Sequence, residues 1–101
     1  MLGHMVYFTL KDNSEEASRR LIDSCKEHLS GHPGTVLFAA GTRVPDLDRE
    51  VNDKEFHVAL QLVFENREAQ DNYQVHQRHE TFIETNRDSW AKVRVFDSDL
   101  E

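Results

Sequence analysis

A chain of 101 residues, 38% hydrophobic and 31% charged, has the length and composition of one globular domain (1–101) with a modest core and a well-charged surface. Its 12 Lys+Arg against 19 Asp+Glu leave a net charge of −7, which repels a phosphate backbone, and no basic cluster overrides it; nucleic acid is excluded as a partner. No apolar run approaches the ~20 residues that span a bilayer, so a membrane span is excluded as well.

Residues 1–10 lack the cationic start and small-residue cleavage site of a secretory signal. Residues 4–11 (HMVYFTLK) instead predict a first strand, with His4, Val6, Phe8 and Leu10 on one face. The following Asn13-Ser-Glu-Glu is a helix-start signature in which Asn13 is expected to cap the first free amides and Glu16 to reach back. Ala17, Leu21, Ile22, Cys25 and Leu29 then recur at helical spacing, predicting an amphipathic helix over 14–30 that Gly31, Pro33 and Gly34 end. Cys25, the one cysteine, falls on the apolar stripe; it has no disulfide partner, which fits a reducing, cytoplasmic setting and a plain core role. His28 and His32 close this helix, where a cation suits the dipole, and are assigned no site.

Residues 35–44 predict a second strand, ended by Pro45, and the polar stretch 45–54 predicts a solvated connection. A third strand is expected over 55–64. Phe56, Val58, Leu60, Leu62 and Phe64 form a strongly apolar face that meets the helices, and His57, Ala59, Gln61 and Val63 form a mixed one. A second helical region over 66–87 is expected to break around Val75–Gln77, and 90–97 (WAKVRVFD) predicts the last strand. The order β-α-β-β-α-β is that of an α+β, ferredoxin-like domain with a four-stranded antiparallel sheet. Its helices cover one sheet face, so the bare, half-apolar face is expected to pack against a second copy as a homodimer.

Tyr73, His76 and His79 are spaced by three, which places them along one side of an unbroken helix. Imidazole exchanges protons near neutrality, and a phenol can orient it or stabilise an enolate. His4, on the helix-facing side of the first strand, is expected to face the same space. Val6, Phe8, Phe38, Val58 and Leu60 are expected to wall an apolar cavity there, with His76 beside it. His76, His79 and Glu80 supply too few converging ligands for a metal. The four glycines are scattered rather than gathered in a phosphate loop, and neither a Ser nor a Cys stands in a nucleophile motif, so no cofactor is expected.

Three segments resemble the stress-responsive dimeric A/B-barrel (Dabb) family: His4-Met-Val-Tyr-Phe-Thr-Leu-Lys11, Tyr73-Gln-Val-His-Gln-Arg-His79 and Trp90-Ala-Lys-Val-Arg-Val-Phe-Asp97. The middle one is similar to a Tyr-x-x-His-Pro-x-His segment, with Gln77 in the proline position; His57 stands where many members carry an acidic residue. With Gly41-Thr-Arg and the Phe56–Phe64 strand, the resemblance covers nearly the whole chain. It implies a dimeric α+β barrel of two back-to-back sheets. Through a plant polyketide cyclase of the family, it also implies cofactor-free aldol chemistry at positions matching Tyr73, His79 and His4.

Two functional readings follow, and they differ in whether the chain is an enzyme at all. In one, a cavity binds a small apolar, aromatic or polyketide-like molecule, with His79 as acid/base and Tyr73 as its partner. In the other, the chain is a non-catalytic structural or partner-binding dimer in a stress response, and the Tyr–His pair merely satisfies buried polar atoms at a helix bend.

Overall fold

The computed structural model describes residues 1–101. Strict alternation builds β1 (Leu2–Leu10): Leu2, His4, Val6, Phe8 and Leu10 are buried on one side, while Met5, Tyr7 and Thr9 are half-exposed on the other. Helix α1 (Glu15–Leu29) starts one residue later than expected, because Ser14 rather than Asn13 is its cap. The Ser14 hydroxyl accepts from the Ala17 N–H at 3.1 Å, within reach of the first turn. Its stripe of Ala17, Leu21, Ile22, Cys25 and Leu29 is buried, and desolvation pushes the Cys25 thiol up to about 12.

Strand β2 (Thr35–Thr42) pairs antiparallel with β3 (Val58–Phe64), and residues 43–57 connect them without helix or strand. The third strand is shorter than expected. Just before it, the His57 N–H donates to the Phe8 carbonyl (2.8 Å), and the His57 ring accepts from the Leu10 N–H through Nδ1 (2.9 Å). Phe56 therefore leaves the Val58 face and packs edge-on against Tyr7, 5.0 Å away.

The second helical region breaks where the sequence indicates, into α2 (Arg67–Val75) and α3 (Gln77–Asn86). His76, in extended conformation, forms the corner. Its N–H donates to the Tyr73 carbonyl, closing α2, and its Nδ1 accepts from the Arg78 N–H at 3.0 Å, capping α3. Gln77 is thus the first residue of α3, a position whose N–H a helix leaves unused, so proline and glutamine both fit there. A 3-10 turn (Arg87–Ser89) leads into β4 (Trp90–Asp99).

The sheet is antiparallel with order β2-β3-β1-β4, and this is the ferredoxin-like arrangement. Its uncovered face carries Met5, Tyr7, Leu37, Val63 and Phe96, with Leu37 and Phe96 nearly half exposed (46% and 47%). No helix is long and apolar enough to cross a membrane. On the helix-facing side, α1 packs over β2 and β3. Register sets Val93 and Val95 opposite Phe8 and Val6, on that same side, yet both stay exposed (39% and 48%). The roof over β4 is incomplete.

Candidate functional site

That incomplete roof encloses a cavity of about 580 Å³. Leu2, His4, Val6 and Phe8 form its floor, Val93, Val95 and Asp97 its outer wall, and Tyr73, His79 and Phe82 hang from α2 and α3 above. Sheet parity aims His4 inward, and register places Asp97 directly opposite it. His4 Nδ1 lies 2.5 Å from Asp97 Oδ1. An ionised carboxylate only accepts, so Nδ1 carries the proton and Nε2 is left as an acceptor.

Tyr73 stands in the last turn of α2 and is buried (2% exposed). Its ring meets His79 edge-on at 4.8 Å, His32 at 5.0 Å and His4 at 5.9 Å, and lies 5.1 Å from Phe64. Burial raises the phenol well above its ordinary value, so it stays a neutral O–H donor. His79, half-buried at the start of α3, is shifted the other way. Burial, and then the nearby His4 and His32, hold its pKa below 6.5, which leaves a neutral imidazole at neutral pH. Tyr73 and His79 share the cavity wall, but no hydrogen bond joins them; their rings meet at 67°.

Of the residues expected at the site, His4, Val6, Phe8, Leu60, Tyr73 and His79 line this one cavity. Phe38, Val58 and His76 do not. Phe38 and Val58 do face the helices, but over the β2–β3 half that α1 fills, and Val58 is 0% exposed. His76 is turned outward, its Nδ1 used as a cap and its ring 4.9 Å from His32. His32, to which no site was assigned, is buried between Tyr73 and His76, its Nε2 2.8 Å from the His28 carbonyl.

Sequence reasoning missed Asp97, Gln70 and Trp90, which also line the cavity, and the exposed Arg67–Asp71 pair (2.9 Å) at its mouth. Gln70 was within reach, since it precedes Tyr73 by three residues and so shares its helix face. Asp97 needed the β1–β4 register, which no local pattern contains. The Gln70 Oε1 and Trp90 Nε1 atoms are buried without a hydrogen-bond partner. No three His, Cys, Asp or Glu side chains converge as metal ligands. In chemical terms the cavity offers a neutral imidazole, a phenol donor and an oriented second imidazole, set in apolar walls.

The family model described as Stress responsive A/B Barrel Domain matches residues 2–100. Among solved structures, a Dabb family protein with a ferredoxin-like fold from Mesorhizobium loti is 22% identical, with a TM-score of 0.81 over 99% of this chain and 96% of that one. A dimeric ferredoxin-like protein from Jannaschia is 22% identical, TM-score 0.78, over 98% of each chain. A hydroxynitrile lyase from Passiflora edulis is 18% identical, TM-score 0.77, over 99% of this chain and 93% of that one. At these identities the structures establish the shared fold. No curated protein sequence matches the chain.

Proposed function

This chain belongs to the Stress responsive A/B Barrel Domain (Dabb) family, and from that premise we propose that it is a homodimer that binds a small, largely apolar or aromatic molecule between sheet and helices, with His79 as acid/base and Tyr73 as its partner. The observation that carries this reading is a half-enclosed cavity of about 580 Å³ joining an apolar floor to a neutral imidazole. A dimeric relative supports the homodimer, and the half-exposed Leu37 and Phe96 on the uncovered face suit sheet-to-sheet packing. A hydroxynitrile lyase among the relatives supports enzymatic use of this fold. The lone buried thiol of Cys25 suits a reducing, cytoplasmic setting.

The chemistry that suits these groups is an aldol or cyclase-like step needing no cofactor. His79 takes a proton from a carbon beside a ligand carbonyl, and the Tyr73 O–H donates to the enolate oxygen that forms. The enolate carbon then attacks a second carbonyl of the same molecule, and His79 returns its proton to the new alkoxide. Electrons stay within the ligand, and His79 ends as it began. His4, its tautomer fixed by Asp97, positions ligand hydroxyls through Nε2.

A second reading, a non-catalytic structural or partner-binding dimer in a stress response, is favoured by one observation. Tyr73 and His79 are not hydrogen-bonded, and Tyr73 packs against four rings as a core residue does. His79→Ala separates the two. On the first reading, turnover of a linear polyketide thioester analogue falls by about 10²–10⁴-fold while folding and dimerisation persist. On the second, the unaltered protein does not turn the analogue over and the variant is only less stable.

A further inference from the structure

Gln70 is 8% exposed and lines the cavity, yet its Oε1 is sealed away with no hydrogen-bond partner in the chain. A buried acceptor left unmet is destabilising, and leucine, of similar volume, would carry no such penalty. The fold itself gives no use for an amide here.

The place of Gln70 in the cavity indicates what the amide meets. It lies one turn beyond Arg67, on the same face of α2. The Arg67 guanidinium pairs with Asp71 and then feels Asp97 and Asp99, so the start of α2 overlies the far end of β4. The opposite end is apolar, closed by Phe8, Phe82 and Trp90, whose rings lie 5.1–6.3 Å apart. Gln70 therefore belongs to the polar end. The carboxylates that line this end are already engaged, Asp71 by Arg67 and Asp97 by the His4 Nδ1–H, whereas the Gln70 Oε1 is not. A carboxamide suits a neutral partner: its broad terminal torsion lets it present either oxygen or nitrogen to the cavity.

We infer that Gln70 is a specificity-determining residue of this cavity, its carboxamide hydrogen-bonding a neutral hydroxyl or carbonyl on an otherwise apolar ligand. This rests on the small-molecule reading of the cavity. A site built around a polar contact discriminates against analogues that lack the matching group.

The test is titration of the full-length protein with 3-propylphenol and with propylbenzene, followed by NMR, for the unaltered chain, Gln70→Leu and Gln70→Met. We expect the unaltered chain to bind the phenol about tenfold more tightly than the hydrocarbon. In both variants that preference shrinks to what His4, Tyr73 and His79 alone supply, while the hydrocarbon binds at least as well and unfolding occurs at the same or a higher temperature. If both probes bind but the preference is undiminished in the variants, or the variants unfold at a lower temperature, the amide is structural and the inference falls while the cavity reading stands. If neither probe perturbs cavity resonances of the unaltered chain, the cavity reading falls and takes the inference with it.

Discussion

Gly34 and Gly31 have left-handed backbones, with φ of +82° and +75°, but different surroundings. A Cβ built on Gly34 would lie 2.5 Å from the Ala69 Cβ, whereas one on Gly31 meets nothing within 4 Å. Alanine at either position takes the left-handed penalty of about 1–2 kcal/mol. At Gly34 it also overpacks against the first turn of α2, adding about 1–3 kcal/mol. Gly31→Ala is thus expected to lose about 1–2 kcal/mol and Gly34→Ala about 2–5, measured by urea unfolding at constant m-value. Ala69→Gly in the Gly34→Ala background should return the clash energy, less about 1 kcal/mol of helix propensity. Because Ala69 adjoins Gln70 and lies one turn before Tyr73, Gly34→Ala should also weaken ligand binding, which Gly31→Ala leaves intact. Equal losses at the two glycines would refute the argument that this close approach seats α2.

The pKa values of His32 and His79 are both held below 6.5, chiefly by burial. Below that value the unfolded chain binds more protons than the folded one, so stability is full above about pH 6.5 and falls as the pH drops below it. Unfolding followed from pH 7.5 to 5.5 should show this decline, shallower in His79→Gln; a flat or rising profile would refute it. The lowered Asp12 and Asp53 carboxyls exert their influence only below about pH 4, outside this window. Leu37→Asp, on the uncovered sheet face, should convert the proposed dimer to a folded monomer by analytical ultracentrifugation. An unchanged dimer would move the interface off that face.

What the sequence made legible was local. Alternation gave the buried faces of β1 and β3, helical spacing gave the α1 stripe down to Cys25, and the polar break around Val75–Gln77 appeared in place. What it hid depended on packing between elements. Phe38 and Val58 were given the correct face, but which half of that face stays open follows from where α1 settles. Phe56 was lost to the opposite side because the strand starts three residues later, at Val58. His32 read as a helix end, yet the left-handed turn at Gly31 brings it beneath Tyr73. Asp97 gains its role only through register with His4.

The break at His76 is what makes the site. In a continuous helix, residues six apart are turned roughly 120° from one another and separated by about 9 Å along the axis. Tyr73 and His79 would then face different neighbours, so their even spacing by three is not the reason they meet. One extended residue between them redirects the chain. α3 is then fastened to α1 through Asn86 to Ser24 (2.8 Å) and Arg78 to the Glu27 carbonyl (2.5 Å), while α2 is seated over Gly34. The last turn of α2 and the first turn of α3 consequently converge, bringing the phenol and imidazole rings to 4.8 Å above His4. The two outer residues of the Tyr-x-x-His-x-x-His segment line the cavity and are the groups proposed to carry its chemistry. The middle histidine, outside it, builds the corner that lets them do so.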